Sequence, residues 1–274
     1  MFWYLYHITA TACPHVTIIQ HPSIEYKQIT ETSGIVAHGD LLWIHNDSGD
    51  LARVFSYSLS NKSLKEHTIS GINAKDWEDI AIDREHNRLF IADTGDNRES
   101  RKDSSIVSYT IDTQQTSTYP ISYQTGSIDI EAIAWDPLSQ NIVLLSKGRG
   151  GMVHLFSFSP DNPPTKPLQS IYKFPISPAS GLNPERITAM DITQNGSLIA
   201  VRNYISLFLW EREPNTTISQ TLSKKPCTYD LPVQKQGESI GFSDDGLSLW
   251  TLSEGKNQPL IELRLTRDNP TSLP

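Results

Sequence analysis

Two cysteines in 274 residues, Cys13 and Cys227, are too few for a disulfide framework. They leave open a single bridge in an oxidising compartment or two unrelated thiols. Long apolar runs are missing as well, and none reaches the length needed to cross a bilayer. Basic residues are outnumbered: 23 Lys and Arg against 31 Asp and Glu give a net charge of −8. A nucleic-acid backbone is therefore excluded as the main partner, because phosphate binding needs clustered positive charge. The chain contains no GxSxG elbow, HExxH pair, phosphate-binding P-loop or dinucleotide fingerprint. Asp93-Thr94-Gly95 has the aspartic-protease tripeptide, but Asp47-Ser48-Gly49 holds the equivalent place upstream. Both read as strand-ending turns.

What is present is a repeat. Asp76 to Asn97, DWEDIAIDREHNRLFIADTGDN, gives two short β-rich runs joined by a polar break, the pattern of an antiparallel pair. The start of the first strand and the end of the second then lie side by side. The same unit recurs with Ser33, Glu78, Glu131, Thr188 and Glu238 in register, at spacings of 45, 53, 57 and 50 residues. Each unit offers two further strands, such as SSIVSYTI and STYPISY after the second, or SLFLWERE and TISQTL after the fourth. Four strands per roughly 50 residues is the period of a propeller blade. The expected fold is all-β: a single propeller of five four-stranded blades over residues 15–274. The last unit supplies only three strands, so HVTIIQ or EYKQIT near the N-terminus should complete it. A six-bladed arrangement using the first 30 residues is the rival.

Residues 1–14 carry two readings. MFWYLYHITATAC is either an ordinary N-terminal strand or the remnant of an export signal, with Ala10 to Cys13 resembling a lipobox in which Ala replaces Leu. The second reading implies export, and a lipid anchor through Cys13.

The antiparallel geometry sorts the polar residues onto two faces. Glu78, Glu131 and Glu238 should point into the channel, while Asp83 and Asp244 fall at the opposite end. Three converging carboxylates repel unless protonated, paired or bound to a cation. Asp47, Glu78, Asp93, Glu131 and Glu238 are the candidate metal ligands, and Ca²⁺ is the cation their oxygens suit. Lys147, Arg202, Asn203, Tyr204 and Glu254 are candidate ligand contacts, with His45 as candidate general base. Lys147 and Arg202 offer the competing account, neutralising the acids without metal.

The phrases Ser33–Ile35 (SGI), His45–Asp50 (HNDSGD), Asp76–Ala81 (DWEDIA), Asp93–Asn97 (DTGDN), Glu131–Ile133, Ala200–Tyr204 (AVRNY) and Gly237–Ile240 (GESI) followed by Ser253–Gly255 resemble those of a family of bacterial, often exported β-propellers without an assigned reaction. More distantly the chain is similar to phytase-like and lactonase-like propellers. That likeness implies a metal site held by channel carboxylates. The mixed acid–base face favours a metal-loaded funnel taking a small, anionic ligand, with hydrolysis of a phosphoester or lactone as its extension, and a monomer is expected. The alternative is a non-catalytic module binding protein or glycan.

Overall fold

In the computed structural model, which describes residues 13–176 and 186–267, the β-rich runs assemble into five antiparallel four-stranded sheets. Blade 1 runs from the axis outward as β2 (Thr32–His38), β3 (Leu41–Asn46), β4 (Arg53–Ser58) and β5 (Leu64–Thr68). Blade 2 is β6 (Trp77–Asp83), β7 (Arg88–Asp93), β8 (Ser105–Thr110) and β9 (Thr116–Pro120). Blade 3 follows with β10 (Ile130–Asp136), β11 (Asn141–Ser146), β12 (Met152–Phe158) and β13 (Tyr172–Pro175). Blade 4 has β14 (Ile187–Ile192), β15 (Leu198–Asn203), β16 (Ser206–Glu211) and β17 (Cys227–Asp230).

Blade 5 closes the ring. Its strands β18 (Gly241–Phe242), β19 (Ser248–Thr251) and β20 (Pro259–Thr266) are completed by β1 (His15–Ser23), which pairs with β20 from His15–Thr266 to Ser23–Pro259. The N-terminal closure read from HVTIIQ is therefore present, and Glu25–Thr30 is not a strand. Residues 1–12, which hold most of the signal-like segment, lie outside the described residues.

Each blade must bury both faces of its sheet, and the apolar residues divide accordingly. Among the described residues five apolar clusters form, one at each junction between neighbouring blades. Trp43 and Trp77 share the cluster between blades 1 and 2, which places these indoles in blade packing.

One strand expectation fails. TISQTL is not the outer strand of blade 4 but a short helix, α1 (Ile218–Leu222), and Cys227–Asp230 forms the outer strand instead. The reason is local: Thr217 and Gln220 form a reciprocal capping box, satisfying backbone donors that a strand would leave to a partner.

Cys13 and Cys227 are joined, with Cα atoms 5.6 Å apart, so the segment leading into β1 is fixed to the outer strand of blade 4. The bridge uses the thiol that a lipid anchor would need, so the anchor expected at Cys13 does not fit this structure. No helix among the described residues is long and apolar enough to cross a membrane.

Candidate functional site

A register shift interrupts the pairing of the inner strand with its neighbour in each of the first four blades. The shifts span Ser33, Glu78 with Asp79, Glu131 and Thr188, and in blade 5 Glu238 lies between the Gly237–Ser253 bridge and the Gly241–Trp250 pair. The repeat position picked out by sequence is thus a β-bulge, a device that re-aims side chains at a strand end. Here it brings carboxylates together at one face. Asp83 and Asp244 sit at the other, where Asp244 accepts from Gly39 N and Arg84 Nε, at 2.7 and 2.8 Å.

Three sets of carboxylate oxygens each lie within 4.8 Å of one another: Asp47, Glu238 and Glu254; Asp47, Asp76 and Glu78; and Glu78, Asp129 and Glu131. The sets overlap at Asp47 and Glu78, forming a continuous arc across blades 5, 1, 2 and 3. Asp76 and Asp129 were not among the expected ligands. Their signal was in the sequence, since each precedes its glutamate by two residues, and a strand of period two sends both to one side. Gly95 makes the arc feasible, because a Cβ there would collide with Glu78 Oε1 and the Asp76 carboxylate.

Burial and mutual repulsion set the charge state. Desolvation, then Glu238, Asp76 and Glu31, push Asp47 up to about 7. Its Oδ1 is buried without a hydrogen-bond partner. Glu254 rises to about 9, through desolvation and then a hydrogen bond and charge repulsion from Glu238. Glu78 rises well above the ordinary carboxylate range, through desolvation and then Glu131, Asp47 and Asp76. It is only 6% exposed, and the Lys147 charge offsets only part of the rise.

The third set differs because it already holds a cation. Lys147 Nζ contacts Glu131 Oε1 and lies 3.6 Å from Asp129 Oδ2. Burial works against the ammonium, but Glu131, Asp129 and Glu78 outweigh it and hold the lysine charged. Asp129 is further engaged by Arg149 Nη2 at 2.9 Å and by Asp96 N at 2.7 Å.

The remaining expected residues take other places. Asp93 stays outside the three sets: its carboxylate accepts from Asp76 N at 3.1 Å and Arg101 Nη2 at 2.5 Å. Arg202 is fully buried and bonds neutral acceptors, including Thr251 Oγ1 at 2.5 Å, Asn203 O at 3.0 Å and Gln234 Oε1 at 3.1 Å. Burial lowers its pKa to about 10. Asn203 Oδ1 accepts from the backbone of Ile205 and Ser206, shaping the turn after β15. Tyr204 Oη donates to Glu238 Oε1 at 2.9 Å, so it touches the arc directly. His45 is fully enclosed, with Nδ1 donating to Asn46 O at 2.9 Å and its ring edge-on to Trp77. Burial lowers it to about 4, leaving a neutral imidazole shut away from solvent.

Compared with protein-family models and with curated proteins, the chain gives no match. The reading of the site therefore stands on its geometry: a five-bladed propeller whose buried acidic groups can hold a metal ion.

Proposed function

We propose that this propeller is a cation-dependent binding protein, with one divalent ion at the hub of the acidic face. The carrying observation is the uncompensated stretch of the arc. Asp47 Oδ1 is buried without a partner, Glu78 is buried and pushed well above the ordinary carboxylate range, and both lie within reach of further carboxylates. Such groups must take up protons or a cation. Asp47, Asp76, Glu78, Glu238 and Glu254 supply oxygen ligands only, which favours a hard ion that accepts many oxygens at flexible geometry, hence Ca²⁺. Glu131 belongs instead with Lys147.

A cation there would attract a small anion, and Arg149, 36% exposed beside Asp129, is placed to add a charged hydrogen bond. Binding ranks above phosphoester or lactone hydrolysis because the imidazole expected as base, His45, is sealed from solvent. Export fits the Cys13–Cys227 bridge, since disulfides persist in oxidising compartments. It also fits the resemblance to exported propellers carried by the repeated phrases.

Calcium titration of metal-free protein, followed calorimetrically and by melting temperature, tests the reading. Stabilisation of about 2.7 kcal/mol is expected at a hundred times Kd. Glu238→Gln should abolish most of it. Elemental analysis finding no bound metal, together with a calcium-blind melt, would refute the proposal.

A further inference from the structure

We infer that the buried set Glu78, Asp129 and Glu131 is a second cation position, which the chain fills for itself with the Lys147 ammonium. The hub then takes one metal ion and not two. This rests on the cation site proposed above, but concerns a different set of ligands.

Two of the three carboxylate sets share no residue: Asp47, Glu238 and Glu254 on one side, Glu78, Asp129 and Glu131 on the other. Each brings three oxygens within 4.8 Å, close enough to bind a common cation. In the second set all three residues are buried. Lys147 follows directly on β11 of the same blade as Glu131, and its Nζ lies against Glu131 and 3.6 Å from Asp129 Oδ2. An ammonium is a compact point charge with three donors, so it can occupy the centre of such a set as a monovalent ion would. Glu78 is buried and belongs both to this set and to the set with Asp47 and Asp76, so it borders the two positions.

The lysine thereby fixes how many ions bind and where. A divalent ion entering the second set would meet the ammonium at contact distance, and the like-charge repulsion directs it to the Asp47 side. Removing that charge leaves three buried carboxylates facing one another, with Arg149 engaging Asp129 alone. They then need another counter-ion.

The test counts calcium ions bound to folded, metal-free protein by equilibrium dialysis with elemental analysis. Wild type and Lys147→Arg should each bind one ion, and Lys147→Gln should bind two. Glu131→Gln in the wild-type background should retain one ion, with Kd changed by less than about threefold, because its set is already filled. A folded Lys147→Gln protein that still binds one ion, or a wild type that binds two, overturns the inference. Glu131→Gln decides the matter should Lys147→Gln not fold: loss of the single ion would place the metal among Glu78, Asp129 and Glu131 and overturn the inference, whereas retention supports it. A wild type binding none while Lys147→Gln binds one would refute the hub site proposed above and leave this inference standing. No ion in either would refute both.

Discussion

Raising the pH of the metal-free protein should lower its melting temperature, in a window that the structure defines. Asp47 is held at about 7 in the fold, against roughly 4 in an unfolded chain. A raised acid contributes stability that is complete below the unfolded value and is lost as pH climbs through the folded one. His45 has the opposite sign. Its folded value of about 4 lies below the ordinary 6.5, so its contribution is complete above 6.5 and is lost as pH falls toward 4. The two slopes oppose each other below about pH 6.5; from there to about pH 8.5 His45 returns only about 0.4 kcal/mol and the carboxylate slope dominates. Over that window Asp47 alone costs about 0.8 kcal/mol by proton linkage. Glu254, half-buried and raised to about 9, adds roughly 1 kcal/mol after a discount for solvent screening. At about 2 °C per kcal/mol for a chain of this size, Tm should fall by roughly 3 °C. Saturating calcium should flatten or invert the slope, because the bound ion keeps the carboxylates ionised in the fold. Differential scanning fluorimetry in chelator and in calcium checks both arms. A Tm that is flat or rising from pH 6.5 to 8.5 in chelator would show that the acids are already compensated without metal.

Three further outcomes follow from particular contacts. Asp79 is buried on the axis, where Oδ2 accepts from Ile133 N at 3.0 Å and Met190 N at 3.2 Å and Oδ1 from Ile80 N at 2.9 Å. Asp79→Asn sets an amide donor against backbone donors and should cost about 2–4 kcal/mol in urea unfolding; a change under about 0.5 kcal/mol contradicts this role. The Cys13–Cys227 bridge closes a loop with a sequence separation of 214 residues, for which chain entropy gives up to about 5 kcal/mol. Reduction, or the double Cys→Ser variant, should lower Tm by up to about 10 °C, and an unchanged melt argues against that stabilisation. Gly95→Ala removes no ligand, yet its methyl would push on Glu78 and Asp76. It should weaken calcium binding at least about tenfold, roughly 1.4 kcal/mol, and calorimetry showing unchanged affinity would remove the arc from the site.

The blade repeat was legible because its period and its alternation are backbone properties. Ile80 and Ile82, like Leu89 and Ile91, bury their side chains in the cluster between blades 1 and 2, as a period-two strand requires. Glu78 and Glu131 could be assigned to one face for the same reason. What sequence could not show is how a side chain turns once it reaches that face. Asp93 and Asp76 both border the arc, but the Arg101 guanidinium captures Asp93 and leaves Asp76 in it. Arg101 is remote from the repeat register, so no pattern announced the capture. Arg202 shows the same gap between position and role. It lies within β15, and its guanidinium folds back onto Asn203 O and Ser239 O. TISQTL is a conflict of scales, with a strand expected from the repeat and a capping box deciding locally.

The bulge position also separates structure from function, because the chain uses it in two ways. Where it holds a hydroxyl, the side chain stitches neighbouring blades: Ser33 Oγ donates to Glu78 O, and Thr188 Oγ1 donates to Gly237 O at 3.2 Å. Where it holds glutamate, other groups perform the stitching. Thr94 Oγ1 donates to Ile130 O at 2.8 Å between blades 2 and 3, Ile187 N to Lys147 O at 2.9 Å between blades 3 and 4, and Gly255 N to Thr30 O at 2.8 Å between blades 5 and 1. Each junction thus has a hydrogen bond at this face that needs no bulge glutamate. Burying a carboxylate carries a desolvation penalty that a serine or threonine largely avoids. A chain that closes two junctions with hydroxyls at this register had the cheaper solution available at the other three. Glu78, Glu131 and Glu238 are retained there against that penalty. Glu131 contacts Lys147 and Glu238 accepts from Tyr204, while burial and neighbouring carboxylates push Glu78 well above the ordinary range. Ring closure therefore does not require the acidic arc, and the cation site proposed above would give those carboxylates a role.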